Sequence, residues 1–198
     1  LAIAGNILDF GVNSSLEYTQ AEQVINAALD AEFDGNEVSV FTDCVAQTRD
    51  ILYLGDNAGE VVFDRVLIER LPYDKVTFVV KGSPVINDAT MADAEAAGLT
   101  DLVEVMTNGS DGPGTILETC SPRFRERFAR ADLVIAKGQG NYESLSAVDK
   151  SMFFILKAKC PVIARDLDCT IGEMILRRSE KWGTGFIAED EETTHARF

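Results

Sequence analysis

A doubly wound α/β fold, with a mainly parallel sheet and helices on both faces, is what this sequence predicts. Short continuous apolar runs of strand length, Ile51–Leu54, Phe78–Val80 and Leu133–Ala136, alternate with segments of helical spacing. Each run stops at a polar or glycine step: Gly55-Asp56-Asn57, Lys81-Gly82 and Lys137-Gly138. Strands buried on both faces and separated by helices form parallel β-α-β units, here a Rossmann-like three-layer core.

In chain order, the sequence opens apolar at Leu1–Ala4 and turns polar by Gly11–Ser15, with Asn6 and Asp9 between. Ser14 or Ser15 can cap a helix through about Leu29, in which Ala21, Val24, Ile25, Ala28 and Leu29 share a face. A second helix is expected from Glu37 to Thr48. A strand over residues 51–55 follows, then a helix from Glu60 to Arg70 with Val61, Val62, Val66 and Leu67 at helical spacing, closed by Leu71-Pro72. Lys75–Lys81 reads as the next strand, and Asn87 or Asp88 as the cap of an alanine-rich helix ending near Gly98. The cycle repeats with a strand over Leu102–Met106, a glycine-rich loop over Asn108–Gly114, a basic helix over Phe124–Ala131 and a short strand from Leu133. Two apolar runs, Met152–Leu156 and Pro161–Ala164, precede an expected helix over Ile171–Arg178. The acidic stretch from Ala188 reads as solvated.

At 198 residues the chain is long enough for one full core, and residues 1–198 are read as a single domain. The formal net charge of −15 argues against nucleic acid, whose phosphate backbone is gripped by clustered Lys and Arg. It leaves phosphate esters open, because a bound cation and a few lysines set the field inside a pocket. Cys44, Cys120, Cys160 and Cys169 contain no C-x-x-C pair, so they point to reduced thiols and a cytoplasmic setting. No apolar run is long enough to cross a bilayer.

The chemistry concentrates where strands end. Asp56, Asn57 and Asp88 are oxygen donors, a set that suits magnesium, manganese or another hard divalent ion and suits structural zinc poorly. Lys81 and Lys137, each followed by a glycine that lets backbone approach a ligand, can offset charge on phosphoryl oxygens. The loop Asn108–Gly114 can add backbone N–H donors. Together these describe phosphoryl transfer, most simply to water.

Taken singly, each motif has a plainer reading. An Asp-Asn pair after a strand is often a turn, Asp88 can simply cap a helix, strand-end lysines are usually solvated, and glycine loops are usually turns. Glu143 can be the acid of a helix first turn, Cys169 a buried thiol, and His195, the single histidine, stands in the acidic tail.

In combination the motifs Gly55-Asp-Asn-Ala-Gly-Glu60, Lys81-Gly-x-Pro with Asn87-Asp-Ala-Thr90, and Lys137-Gly-Gln-Gly-Asn141-Tyr-Glu143 resemble the damage-control phosphatase family, in its stand-alone prokaryotic branch. Ala4–Asp9 is similar to a further signature of that family, and the likeness runs in order from residue 1 to about 175. The resemblance implies an α/β phosphatase with a divalent ion, magnesium, manganese, cobalt or nickel, on Asp56, Asn57 and Asp88. It also implies a small phosphorylated metabolite as substrate, such as a sugar phosphate or phosphopantetheine-like ester. Lys81, Lys137, Gly138, Asn141 and Glu60 are then expected on the phosphate side, with Asn6 and Asp9 lining or extending the site. That branch carries a helical segment with a C-x-x-C pair ahead of the point where this chain starts, so such a segment is expected upstream of Leu1. Two rival readings are a non-catalytic phosphometabolite-binding module and an adenosylmethionine-dependent methyltransferase. The second lacks its usual G-x-G turn, since Asp56-Asn-Ala-Gly59 stands there.

Overall fold

The computed structural model describes Ala2, residues 25, 26 and 28–30, and residues 33–182. Residues 25, 26, 28 and 29 are helical, in agreement with the first expected helix. Asn6, Asp9, the serines at 14 and 15, His195 and the acidic stretch from residue 188 lie outside the described residues.

The elements that follow are α1 (Gly35–Gln47), β1 (Ile51–Leu54), α2 (Val61–Ile68), β2 (Val76–Val80), α3 (Met91–Ala96), β3 (Glu104–Thr107) and α4 (Pro122–Arg130). Then come β4 (Leu133–Lys137), α5 (Gln139–Leu145), β5 (Met152–Lys157), α6 (Pro161–Asp166) and β6 (Met174–Arg178). The strands form a sheet in the order β3-β2-β1-β4-β5-β6, parallel throughout except for β6, which runs antiparallel to β5. This is the doubly wound sheet that the alternation of runs predicts.

Strand pleating divides the core between the two faces. Ile51, Tyr53, Phe78, Leu133, Ile135, Phe153 and Ile155 pack with Val45 of α1, Val61 and Ile68 of α2 and Ala94 of α3. Leu52, Leu54, Val79, Val134, Ala136, Phe154 and Leu156 pack on the other side with Phe124 and Phe128 of α4, Leu145 of α5 and Ile163 of α6. Each such large side chain, fully buried, contributes about 1.5–3 kcal/mol relative to exposure. Because the chain leaves β1 toward one face and β4 toward the other, the crevice between these neighbouring strands opens at their carboxyl ends.

The expected helix over Ile171–Arg178 is instead strand β6. Its Met174–Arg178 backbone completes the open edge of β5, pairing Lys157 with Met174 through to Phe153 with Arg178. The reversal is set just before it: Gly172, at φ 93°, donates its N–H to Ala158 O at 2.7 Å, and the Glu173 carboxylate accepts from the Thr170 N–H at 2.9 Å. A free strand edge therefore outweighed a helical reading of a short apolar run. In the same region the run Pro161–Ala164 begins α6, with Pro161 in the first turn where its missing N–H costs nothing.

Asp88 does not cap the following helix. That cap is Thr90, whose N–H and hydroxyl both bond to the Asp93 carboxylate at 2.8 and 2.6 Å. Among the described residues no helix is long and apolar enough to cross a membrane. Cys44, Cys120, Cys160 and Cys169 are all free thiols.

Candidate active site

The ends of β1 and β2 are tied together beyond the sheet. Asn57 and Asp88 form an isolated antiparallel bridge, with Ala58 N donating to Asn87 O at 2.8 Å and Ala89 N to Asp56 O at 2.7 Å. Local sequence explains the bend: the segment after β2 returns through Gly82-Ser-Pro84 and passes Ile86 at φ 49° before reaching Asp88. A β-branched residue in the left-handed region is uncommon and costs about 1–3 kcal/mol. The bridge therefore holds Asp88 beside Asp56 against local strain.

The two carboxylates feel each other. Burial is the main reason that Asp56 is pushed up to about 6, and the Asp88 charge adds to it, while Lys137, Lys159 and Lys81 pull it back. Burial likewise raises Asp88, opposed chiefly by Lys81. Lys81 Nζ lies 3.3 Å from Asp88 Oδ2 as an ion pair, but that oxygen has no well-directed hydrogen bond. The Lys81 ammonium spends its hydrogen bonds elsewhere, on Gly112 O at 2.9 Å and on Gly114 O. The glycine-rich loop thus meets the site through carbonyls that hold Lys81, where N–H donors were expected.

Lys137 behaves differently from the lysine expected at a phosphate. It continues the inward alternation of Leu133 and Ile135, so its side chain runs beneath α2 and is 0% exposed. There its ammonium donates to Glu60 Oε2 and Asp64 Oδ1, both at 2.7 Å, and to Ala2 O at 2.6 Å. Burial alone would lower this lysine, but the Asp64 and Glu60 carboxylates hold it above its ordinary value. Burial raises Glu60 and Asp64 themselves, with Lys137 opposing. Tyr53 donates its hydroxyl to Asp64 Oδ1 at 2.8 Å, and Asn57 Nδ2 donates to Glu60 Oε1 at 3.0 Å.

Gly138 and Asn141 build the wall of the crevice. Gly138, at φ 79°, presses so closely on Asp56 that a Cβ there would sit 1.9 Å from Asp56 Oδ2. Its N–H is taken by Ile155 O at 3.0 Å. Asn141 is buried, with Nδ2 donating to Lys137 O at 2.8 Å and Gly55 O at 3.2 Å, and Oδ1 accepting from Thr115 Oγ1 at 2.7 Å. It staples β1, β4 and the glycine-rich loop, and these bonds occupy the groups it was expected to offer to phosphate. Glu143 is exposed and accepts from Gln139 Nε2 at 2.7 Å.

Sequence reasoning missed three participants. Asp64 and Tyr53 complete the buried charge cluster, and Lys159, exposed just beyond β5, acts on both Asp56 and Asp88. A signal for Asp64 was present: Glu60, Asp64 and Ile68 follow one another at intervals of one helical turn and share the sheet-facing side. The apolar positions chosen for that face misled, since Val62 and Val66 are exposed.

Two adjacent carboxylates, one with a buried oxygen lacking a directed hydrogen bond, fit a hard divalent cation. No group of three or more His, Cys, Asp and Glu side chains is placed to hold a metal among the described residues. An ion here would use Asp56, Asp88 and the Asn57 amide oxygen, with its other positions left to water or substrate. A cleft of about 670 Å³ lined by Asp50, Lys75, Thr77, Glu104 and Arg127 lies at the opposite, amino-terminal end of the strands and includes none of these residues.

Comparison with known proteins finds relatives across most of the chain. Residues 1–175 match the damage-control phosphatase ARMT1-like domain. The uncharacterized protein MJ0202 of Methanocaldococcus jannaschii is 44% identical over 182 residues, covering 88% of this chain and 59% of that protein. Damage-control phosphatase PH1575 of Pyrococcus horikoshii is 40% identical over 184 residues, covering 91% of this chain and 63% of its own length. A damage-control phosphatase of Archaeoglobus fulgidus is 40% identical over 131 residues, 64% of this chain and 46% of that protein. The crystal structure of the P. horikoshii protein, described as a DUF89 family member, superimposes with a TM-score of 0.79 at 40% identity, over 90% of this chain and 64% of that one. The chain thus spans between 46% and 63% of the length of these relatives. By sequence match and by architecture, this chain belongs to the damage-control phosphatase ARMT1-like domain family.

Proposed function

We propose that the chain is the catalytic core of a divalent-metal-dependent phosphatase acting on a small phosphorylated metabolite, a sugar phosphate or a phosphopantetheine-like ester, in metabolite damage control. The observation that carries this reading is the Asn57–Asp88 bridge, which gathers Asp56, Asn57 and Asp88 at the switch point of the sheet. Relatives bearing the damage-control phosphatase name support it.

Asp56, Asn57 and Asp88 would hold the ion, magnesium, manganese, cobalt or nickel. When bound, such an ion polarises a phosphoryl oxygen and acidifies coordinated water. Lys81 keeps Asp88 and the glycine-rich loop in place. Lys159, exposed at the crevice rim, takes the phosphate-facing role first expected of Lys137, and Lys137 balances charge beneath the site. Gly138 lets the wall of the crevice approach Asp56 closely.

The test is phosphate release from p-nitrophenyl phosphate, then from a panel of sugar phosphates and phosphopantetheine esters, with each of the four metals. The parent chain is compared with Asp56→Ala and Asp88→Ala. Loss of partners behind a metal ligand commonly costs about 10–100-fold, so loss of a ligand itself is expected to cost at least that. Equal rates in all three proteins, or no release with any metal, would sink the assignment. Ligand-induced stabilisation without release would instead indicate a binding module.

A further inference from the structure

Resting on the metal-phosphatase reading, we propose that Tyr53, Asp64 and Lys137 form with Glu60 a buried positioning chain that fixes the side-chain amide of Asn57 with its oxygen toward the metal position. The links are continuous: Tyr53 Oη to Asp64 Oδ1 at 2.8 Å, Lys137 Nζ to Asp64 Oδ1 and Glu60 Oε2 at 2.7 Å, and Asn57 Nδ2 to Glu60 Oε1 at 3.0 Å.

An asparagine amide has nearly the same shape either way round, so packing alone orients it weakly. Its chemistry does so strongly. A carboxylate only accepts, so Glu60 draws the Asn57 nitrogen and turns the amide oxygen away from itself. Lys137 donates to Glu60 Oε2 at 2.7 Å and leaves Oε1 to accept from Asn57, and Asp64 with Tyr53 fixes Lys137. Tyr53, Glu60, Asp64 and Lys137 are each 0% exposed, and Asp64 Oδ2 lacks a hydrogen-bond partner. Burying two carboxylates and one ammonium in this way is a poor means of stabilising a fold, since well-packed apolar groups of similar volume commonly do as well or better. Orientation of Asn57 gives the cluster a purpose that stability does not.

The experiment is calorimetric titration of Mn²⁺, with circular dichroism to establish folding. In Glu60→Gln the new side chain has one oxygen and one NH2. Lys137, which only donates, takes the oxygen, so the NH2 faces Asn57 and turns the Asn57 nitrogen toward the ion. Mn²⁺ affinity is expected to fall about 10–100-fold. In Glu60→Gln with Lys137→Met the competing donor is gone, the glutamine oxygen returns to Asn57, and affinity recovers toward that of the parent. Undiminished binding in folded Glu60→Gln, or no recovery in the folded double variant, overturns the proposal. Should either variant fail to fold, Tyr53→Phe, which removes only the hydroxyl on Asp64, is expected to weaken Mn²⁺ binding to a smaller degree, and an unchanged affinity there also overturns it. Asp56→Ala separates the two levels: if it binds Mn²⁺ as the parent does, the metal reading itself fails, whereas loss there with full binding in Glu60→Gln rejects the positioning chain alone.

Discussion

Asn57 and Asp88 pair backbone to backbone at the mouth of the crevice, in a bridge that belongs to no strand. It makes two loops into one structural unit, so a disturbance in either loop reaches both carboxylates. The wall opposite is equally tight.

Gly138→Ala is expected to damage that unit directly. The new Cβ would meet Asp56 Oδ2 at 1.9 Å, and the backbone at φ 79°, ψ 163° is a conformation for glycine. Destabilisation of about 1–3 kcal/mol is expected from the backbone alone. Urea unfolding measures that loss. Thermal shift with Mn²⁺ checks the site, because the variant should lose the metal-induced rise in Tm.

Lys81→Met removes the ion pair to Asp88 and both bonds to the glycine-rich loop. Leaving Asp88 without its buried counter-charge is expected to cost about 3–5 kcal/mol. Denaturant unfolding without metal gives the figure. A cost within the scatter of ordinary surface substitutions would mean that Lys81 is not what holds Asp88.

The pH dependence of Asp56 has a definite sign. Its folded pKa, about 6, lies above its ordinary 3.8, so the fold prefers the protonated acid. The stability this contributes is complete below about 3.8 and is lost as pH rises through about 6. Asp56→Asn escapes that loss. The metal-free variant should match the parent in acid and exceed it in Tm above about pH 6, with the gap tempered because Asp56 is only half-buried. A parent that gains stability over the same interval relative to the variant would reverse the assignment.

Lys159 is exposed, so Lys159→Ala should leave Tm unchanged. Its field reaches Asp56 and Asp88, which is the basis of the phosphate contact proposed for it. A raised KM with kcat retained would mark it as a binding contact, and a fall in kcat as one made chiefly in the transition state. No kinetic change at low ionic strength would remove it from the site.

The sheet was legible because β1, β2, β4 and β5 are almost wholly buried and are built on short apolar runs. Asp56 and Asn57 were legible as oxygen donors at the end of β1, and Asp88 as one in the segment beyond β2. What they do together was not, because the bridge between them depends on a loop conformation with Ile86 in the left-handed region. The direction of Lys137 was open to inference from pleating: Leu133, Ile135 and Lys137 alternate to one face, and that face is covered by α2. Strand β6 escaped because its partner, the edge of β5, is a tertiary fact, and Met174–Arg178 carries no helix or strand signal strong enough alone.

A lysine sealed from solvent also carries a chemical consequence. An amine-acylating reagent can reach Lys159 on the folded surface, but Lys137 is 0% exposed and held by three acceptors. Covalent labelling at Lys137 therefore requires the layer formed by α2 to lift from the sheet, and its rate becomes a clock for that opening.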